Sequence, residues 1–263
     1  MTDNAENTEK KRLPIGFFDS GVGGISVLKQ AVRLMPHENF IYFGDSANAP
    51  YGTKTKERII ELSLANTEHL MQQGIKALTV ACNTATSAAI GVLREKYPDM
   101  PVIGIEPALK PAALMGDRPR VIVMATPLTV REEKFNRLLA RYEEKADITA
   151  LPCPGLMEYV EAGQLEGGEL RKYLEDLLGS CLKAGPVDAI VLGCTHYPFV
   201  LKEIRRIAGD EVKIIDGAEG TSRELMRRLR EKDLLTDSSK KGSVVFEESR
   251  PEKIGLCRML LES

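Results

Sequence analysis

Short apolar runs recur along the chain, and segments with helical spacing separate them. Four runs come first and four follow in the same order: 15–19, 40–45, 77–84 and 102–106, then 121–126, 148–153, 189–194 and 212–216. Short apolar runs bounded by turn-forming residues are typical of buried parallel strands, which need crossover helices between them. The pattern predicts two similar α/β domains with largely parallel sheets, related by pseudo-two-fold symmetry.

The expected domain boundaries follow this repeat. Residues 1–12 are polar, and we expect them to form a disordered tail. We expect residues 13–106 together with 216–263 to form the first domain, and residues 107–215 to form the second. The C-terminal segment has no counterpart in the repeat, so we expect it to pack on the first domain. Open α/β sheets bind ligands beyond the carboxyl ends of their strands. We therefore expect the active site in the interdomain cleft.

Composition narrows the class of protein. Apolar residues make up 43% of the 263 residues, as in ordinary globular cores, and the formal net charge of −2 gives no electrostatic reason for nucleic acid as the main partner. No apolar run is long enough to span a membrane. The polar N-terminus lacks a signal-peptide core. The five cysteines are irregularly spaced. Their odd number and the missing signal peptide favour free thiols in a reducing cytoplasm over disulfides.

Two cysteines stand at equivalent places in the repeat. Cys82 and Cys194 each follow an apolar run and precede hydroxyl or imidazole side chains. A neighbouring imidazole favours the thiolate form of a cysteine, and a thiolate–thiol pair can remove a proton from one face of a carbon and deliver one to the other. The repeat therefore predicts a stereoinverting site, with Asp19 adjusting the protonation of Cys82 and His196 that of Cys194.

The first apolar run ends in Asp19-Ser20 and a glycine-rich turn. The GVGG sequence has neither the spacing of a dinucleotide fingerprint nor the Walker lysine. Two interpretations stay open for this turn: a tight strand-to-helix connection, or a site in which Asp19 binds an ammonium group or orients a proton-transfer partner. Asp45 likewise either serves a site or caps a turn.

Six sequence blocks together resemble the glutamate racemases of the cofactor-independent aspartate/glutamate racemase superfamily. In chain order they are FFDSGVGG (17–24), YFGDSANAPYGTK (42–54), ACNTATS (81–87), CPGLMEYVEAG (153–163), GCTHYP (193–198) and IDGAE (215–219). The match extends from about residue 13 to the C-terminus. Ala125-Thr126, where Gly-Thr is expected, and Glu158, at a position usually apolar or proline, depart from the family pattern.

The resemblance implies roles for individual residues. Cys82 and Cys194 are the expected catalytic acid–bases, Cys82 for the D-enantiomer and Cys194 for the L-enantiomer. Asp19, His196 and Glu161 complete the expected catalytic set. The expected substrate contacts are Asp19, Ser20, Tyr51, Gly52, Asn83, Thr84, Thr126, Thr195 and His196.

The resemblance also implies a function. It predicts interconversion of L- and D-glutamate, which supplies D-glutamate for peptidoglycan synthesis in the bacterial cytoplasm. It implies a homodimer and no cofactor, whether pyridoxal phosphate, nucleotide or metal, with no membrane partner. Three alternatives remain: a racemase of aspartate or a related acid, a zinc or redox protein using Cys194 and His196, and a racemase-like binding or regulatory protein. The absence of CxxC and HExxH sequences disfavours the zinc alternative.

Overall fold

The N-terminal segment differs from expectation where the structure describes it. A computed structural model describes residues 8–263, of which 8–12 are helical. Lys11 pairs with Asp233 at 2.8 Å, and its carbonyl accepts a hydrogen bond from the buried Lys76 at 2.6 Å. The prediction of a disordered tail is therefore wrong for residues 8–12, because tertiary contacts hold them, and residues 1–7 lie outside the described residues.

The first sheet contains five parallel strands in the order β4-β3-β1-β2-β9. Its strands are β1 (Ile15–Asp19), β2 (Phe40–Gly44), β3 (Ala77–Val80), β4 (Val102–Gly104) and β9 (Val244–Glu248). The associated helices are α1 (Ile25–Leu34), α2 (Lys56–Met71), α3 (Asn83–Lys96), α10 (Ala218–Glu231) and α11 (Ile254–Glu262). Every residue of β1 and β3 is buried, as expected for central strands covered on both faces.

The second sheet contains four parallel strands in the order β6-β5-β7-β8. Its strands are β5 (Arg120–Ala125), β6 (Asp147–Pro152), β7 (Ala189–Leu192) and β8 (Lys213–Asp216). The associated helices are α4 (Leu109–Ala113), α5 (Pro127–Arg131), α6 (Glu133–Ala140), α7 (Leu156–Glu161), α8 (Gly168–Lys183) and α9 (Leu201–Ala208). The central strands β5 and β7 are apolar and buried apart from Arg120 at the start of β5, whereas the edge strands β6 and β8 are partly exposed.

The two sheets share one topology. In the first sheet, β3 lies between β4 and β1, and β1 lies between β3 and β2. In the second sheet, the equivalent strands take the same places: β7 lies between β8 and β5, and β5 lies between β7 and β6. The first sheet adds β9, which pairs in parallel with β2 from Phe40↔Val244 to Gly44↔Glu248. The predicted α/β class with two parallel sheets is confirmed.

The chain divides into two compact units. One comprises the described residues up to Ile105 together with Ala218–Ser263, and the other comprises Glu106–Gly217. The domain boundaries expected from the sequence stay a prediction, because a domain is defined by folding on its own as well as by compactness. No helix within residues 8–263 is long and apolar enough to cross a membrane.

Candidate active site

Three strands of the first sheet end in polar or reactive side chains. Asp19 is the last residue of β1, Asp45 follows β2, and Cys82 comes two residues after β3. These strands are parallel neighbours, so their carboxyl ends meet at one edge of the sheet. All three side chains are buried, which places a thiol and two carboxyl groups at this edge.

Cys82, Ser20 and Asp19 form a hydrogen-bonded chain that we call the first thiol cluster. The Cys82 thiol donates to the Ser20 hydroxyl at 3.5 Å, and this hydroxyl donates to Asp19 Oδ1 at 3.4 Å. Cys82 is also the N-cap of α3, because its sulfur accepts a hydrogen bond from the Ala85 backbone amide at 3.4 Å. A helix N-terminus stabilises negative charge, so this position supports a thiolate when the proton leaves.

The glycine-rich turn after β1 holds Asp19 in place. The Gly21 amide donates to Asp19 Oδ1 at 2.9 Å, and the Tyr42 hydroxyl donates to the Gly21 carbonyl at 2.7 Å. A Cβ at Gly24 would lie 2.7 Å from the Cβ of Asp19 and 2.8 Å from that of Ala81. The turn therefore approaches the strands too closely for a side chain, as expected for a tight strand-to-helix connection, and it also fixes the Asp19 carboxyl group.

Gly24→Ala is expected to lower the free energy of unfolding by about 1–3 kcal/mol, since the added methyl group overpacks the buried Cβ atoms of Asp19 and Ala81. Gly91→Ala is the matched control, because a Cβ at this exposed position within α3 meets nothing within 4 Å. The control should be neutral or stabilising by up to about 1 kcal/mol through helix propensity. Urea unfolding followed by circular dichroism measures both, and equal effects would contradict the close-packed turn.

Asn83 presents an unsatisfied amide beside Cys82. It opens α3 and is 7% exposed, yet neither its Nδ2 nor its Oδ1 has a hydrogen-bond partner among the described residues. Buried amides are seldom left unpaired because this costs about 1–3 kcal/mol. The Asn83 amide is therefore available to a ligand. Thr84, the next residue, is also buried.

Tyr51 is held by two polar side chains. Its hydroxyl donates to Asp45 Oδ2 at 2.7 Å and accepts from Asn66 Nδ2 of α2 at 3.0 Å. Burial, followed by the charges of Asp45 and Cys82, raises the pKa of Tyr51, so the phenol stays protonated. Since its one proton is committed to Asp45, Tyr51 can offer its ring, its remaining lone pair or its backbone to a ligand. Gly52, the following residue, is partly exposed.

The second sheet carries the other cysteine. Cys194 follows β7 and is buried, and its sulfur lies 3.6 Å from His196 Nδ1. His196 Nε2 lies 2.7 Å from Glu161 Oε1 at the end of α7. We call Glu161, Cys194 and His196 the second thiol cluster. Each thiol cluster thus leads from a sulfur through one polar group to a carboxyl group.

The second thiol cluster favours an imidazolium. Burial alone would lower the pKa of His196, but hydrogen bonds to Cys194 and Glu161 raise it well above its ordinary value of 6.5. A protonated imidazole between a thiol and a carboxylate stabilises the thiolate form of its cysteine. The hydroxyl of Ser20 in the first thiol cluster carries no such charge. The two clusters therefore differ in the charge of the group beside the sulfur, an imidazolium next to Cys194 and a neutral hydroxyl next to Cys82.

Two threonines predicted to contact substrate lie in the unit that carries Cys194. Thr126 is the N-cap of α5, where its hydroxyl accepts a hydrogen bond from the Thr129 amide at 3.2 Å and lies 2.9 Å from the Thr129 hydroxyl. Thr195, between Cys194 and His196, is buried. Nearby, burial followed by the charge of Cys194 raises the pKa of the Cys153 thiol to about 12, so this cysteine stays protonated.

The sequence did not single out two positioning side chains, Tyr42 and Asn66. Tyr42 resembles any other buried strand residue, because its bond to Gly21 depends on the pairing of β2 with β1. Asn66 is a buried polar residue in α2, and its hydrogen-bond partner, Tyr51, lies 15 positions earlier in the chain. A polar residue on the apolar face of α2 was the one available signal.

No group of three or more His, Cys, Asp or Glu side chains able to hold a metal occurs in the described part of the chain.

Comparisons with known proteins identify the family. The family model described as Asp/Glu/Hydantoin racemase matches residues 20–224, and the chain therefore belongs to this family. A glutamate racemase of Clostridium botulinum is 51% identical over 257 residues, covering 97% of this chain and 99% of that protein.

Solved structures are also similar. The glutamate racemase of Francisella tularensis, solved in complex with D-glutamate, has a TM-score of 0.82 and 28% identity, covering 96% of this chain and 95% of that one. The Escherichia coli glutamate racemase, solved with L-glutamate and the activator UDP-MurNAc-Ala, has a TM-score of 0.83 and 30% identity, covering 95% of each chain. The fold and the family are thus those predicted from the sequence blocks.

Proposed function

We propose that this protein is a glutamate racemase that interconverts L- and D-glutamate by proton transfer at Cα between two cysteines. The observation that carries the proposal is the pair of thiol clusters, Cys82–Ser20–Asp19 and Cys194–His196–Glu161, each at the carboxyl ends of strands in its own sheet. The similarity to curated glutamate racemases supports glutamate as the substrate. Two acid–base groups without an electron-accepting cofactor suit a reaction that only moves protons.

In the proposed mechanism the thiolate of Cys194 removes the Cα proton of L-glutamate, and the thiol of Cys82 donates a proton to the opposite face. The electron pair of the broken C–H bond stays on Cα and forms the new C–H bond. Cys194 ends as a thiol and Cys82 as a thiolate, which is the state needed for the reverse reaction. His196 stabilises the first thiolate, whereas the amide of Ala85 at the start of α3 stabilises the second.

We further propose that the remaining predicted residues bind the substrate. Asn83 supports this role directly through its buried and unpartnered amide. The hydroxyls of Ser20, Thr84, Thr126 and Thr195 and the backbone at Tyr51 and Gly52 supply further polar contacts. Asp19 is suited to the substrate ammonium because a buried carboxylate pairs well with a cation. The placement of the site in a cleft between the two domains stays a prediction.

The purified protein should racemise glutamate, and circular dichroism of L- and D-glutamate solutions measures this directly. Both enantiomers should converge on zero ellipticity, while L- and D-aspartate change much more slowly. Faster conversion of aspartate would support the aspartate alternative, and no conversion of any acidic amino acid would support a binding or regulatory protein.

Racemisation should survive removal of metals and carbonyl cofactors, because cysteines supply both acid–base groups. Activity after exhaustive chelation, and activity in hydroxylamine, should both equal that of untreated protein. Recovery of lost activity on adding zinc or pyridoxal phosphate would overturn the cofactor-independent mechanism.

We propose that the D-glutamate formed supplies peptidoglycan synthesis in the cytoplasm and that the protein acts as a homodimer, as the family resemblance implies. The net charge of −2 and the mixed surface charge favour neither nucleic acid nor an anionic membrane as a partner. Sedimentation equilibrium of the purified chain distinguishes a dimer from a 29.0 kDa monomer.

A further inference from the structure

The loop that leads into α7 is held by tyrosine hydroxyl groups from two other segments. Residues 153–155 join β6 to α7, and Gly155 has a φ of 90°, in the left-handed region. The Tyr173 hydroxyl of α8 donates to the Pro154 carbonyl at 2.7 Å, and the Tyr197 hydroxyl donates to the Cys153 carbonyl at 3.4 Å. Both hydroxyls thus fix the position at which α7 begins.

Tyr173 also contacts α7 itself. Its ring packs against the ring of Tyr159, with centroids 5.6 Å apart and the planes inclined by 48°. The helix has six residues, which is too few for stability by itself, so tertiary contacts determine where it lies. Leu156 and Val160 bury its apolar side, and the tyrosine contacts restrain its N-terminal end.

The position of α7 matters because its last residue is Glu161. The Glu161 carboxylate and the His196 ring are 9% and 1% exposed, and they meet at 2.7 Å. A buried, charge-assisted hydrogen bond of this kind weakens steeply when its distance or angle changes. A small displacement of α7 would therefore weaken the support that Glu161 gives to the His196 imidazolium.

We propose that Tyr173 is a positioning residue for the half-reaction that uses Cys194. Its hydroxyl holds the Pro154 carbonyl and thereby fixes the start of α7. The position of α7 then aligns Glu161 with His196. The inference rests on the proposed racemase function and deepens it, by assigning to α8 a role in the L-specific half of the site. Tyr173 itself is half-buried and stays outside the cluster of reacting groups.

Tyr173→Phe removes the hydroxyl and keeps the ring, so the fold and the contact with Tyr159 are retained. The matched control is Tyr159→Phe, which removes the hydroxyl of the other ring in this pair. Among the described residues, the Tyr159 hydroxyl forms no hydrogen bond. In a Cys82→Ser background, where only Cys194 removes the Cα proton, Tyr173→Phe should slow deuterium exchange into L-glutamate by roughly three- to tenfold, the value of one ordinary hydrogen bond. In a Cys194→Ser background, Tyr173→Phe should leave exchange into D-glutamate within about twofold of the parent variant. The control Tyr159→Phe, made in the Cys82→Ser background, should leave exchange into L-glutamate within the same limit.

The protonation of His196 gives a readout that does not depend on racemase activity. The chain has three histidines, so nitrogen-15 NMR of histidine-labelled protein resolves His196, identified by its loss in His196→Asn. The charged or titratable groups facing His196 are Cys194 and Glu161, with Cys153 and Tyr197 next to Cys194. In Tyr173→Phe the imidazolium should lose its proton at a lower pH than in wild type, whereas in Tyr159→Phe it should not.

A double-variant cycle completes the test. If Tyr173 acts through Glu161, Tyr173→Phe should have no further effect in a Glu161→Gln background. Additive effects, or an unchanged His196 titration in Tyr173→Phe, would overturn the proposal. If wild type fails to racemise glutamate, the proposed function fails, but the NMR comparison still decides whether Tyr173 positions Glu161.

Discussion

Cys82→Ser and Cys194→Ser should each reduce glutamate racemisation by roughly 10²–10⁴-fold, or about 3–5 kcal/mol of activation free energy. A serine hydroxyl fits the space of the thiol but is too weak an acid to form an anion near neutral pH. Each variant should nevertheless keep one half-reaction, because the remaining thiol still removes a proton from its own face. Cys82→Ser should exchange the Cα proton of L-glutamate with heavy water, and Cys194→Ser that of D-glutamate.

The partial reactions must be measured separately from racemisation. L- and D-glutamate have equal free energies, so kcat/KM is the same in both directions for any variant and cannot reveal which thiol is damaged. Deuterium exchange at Cα, or irreversible elimination from glutamate analogues with a β-leaving group, does reveal it. Cys257→Ser is the matched control, because this buried cysteine belongs to the C-terminal helix α11 and not to either thiol cluster.

Two outcomes would change the account. Racemisation near the wild-type rate in either variant would show that this cysteine is not an acid–base group, and the two-thiol mechanism would fail. Reversed preferences for L- and D-glutamate would leave the mechanism intact and correct the assignment of faces. A mixture of the two variants should not recover activity if both thiols of one chain act on one substrate.

Glu161→Gln should slow the L-specific half-reaction by roughly 10–100-fold at pH 8, the value of a hydrogen bond to a charged group. Glu161 helps to raise the pKa of His196 above 6.5, so its removal lowers that pKa. The difference should be smallest at the acid end of the range, where protonation of the imidazole is most favoured in both proteins. It should grow as the pH rises, because the variant loses its imidazolium, and with it the support for the Cys194 thiolate, before wild type does.

The control for this variant is Glu158→Gln, one turn earlier in α7 at an exposed position. It removes the same charge from the same helix without touching His196, so the pH profile should match wild type. Initial rates of exchange into L-glutamate between pH 6 and 9 measure both effects when each substitution is made in the Cys82→Ser variant, in which only Cys194 removes the Cα proton. Equal loss in the two variants would mean that a general charge effect, and not the bond to His196, supports the thiolate.

The sequence predicted the architecture because its apolar runs were unambiguous. The run at 15–19 forms the central strand β1, and the first four residues of the run at 189–194 form the central strand β7, since parallel strands covered on both faces are mostly apolar. The ends of elements were less certain: the run at 102–106 forms a strand only over Val102–Gly104. Residues 8–12 were assigned to a disordered tail because their polar composition hid the contacts of Lys11.

The candidate site was predictable to a different degree. Cys194, Thr195 and His196 are adjacent in sequence, so they could be recognised together as a motif. Glu161 was predicted only from the resemblance of its sequence block to the family. The order of contacts was not visible, as Ser20 accepts from the Cys82 thiol and in turn donates to Asp19. Long-range partners such as Tyr173 and Pro154, 19 positions apart, depend on how helices pack on the second sheet, which no local pattern encodes.

The most direct test of the two-thiol claim is the early reaction of wild-type protein with each glutamate enantiomer in heavy water. The product enantiomer should carry deuterium at Cα from its first appearance, while the unreacted substrate keeps its original proton. This result is expected because one cysteine takes the substrate proton and another delivers a solvent-derived one. Rapid deuteration of the recovered substrate, or transfer of its own proton into the product, would indicate a single base and contradict the account.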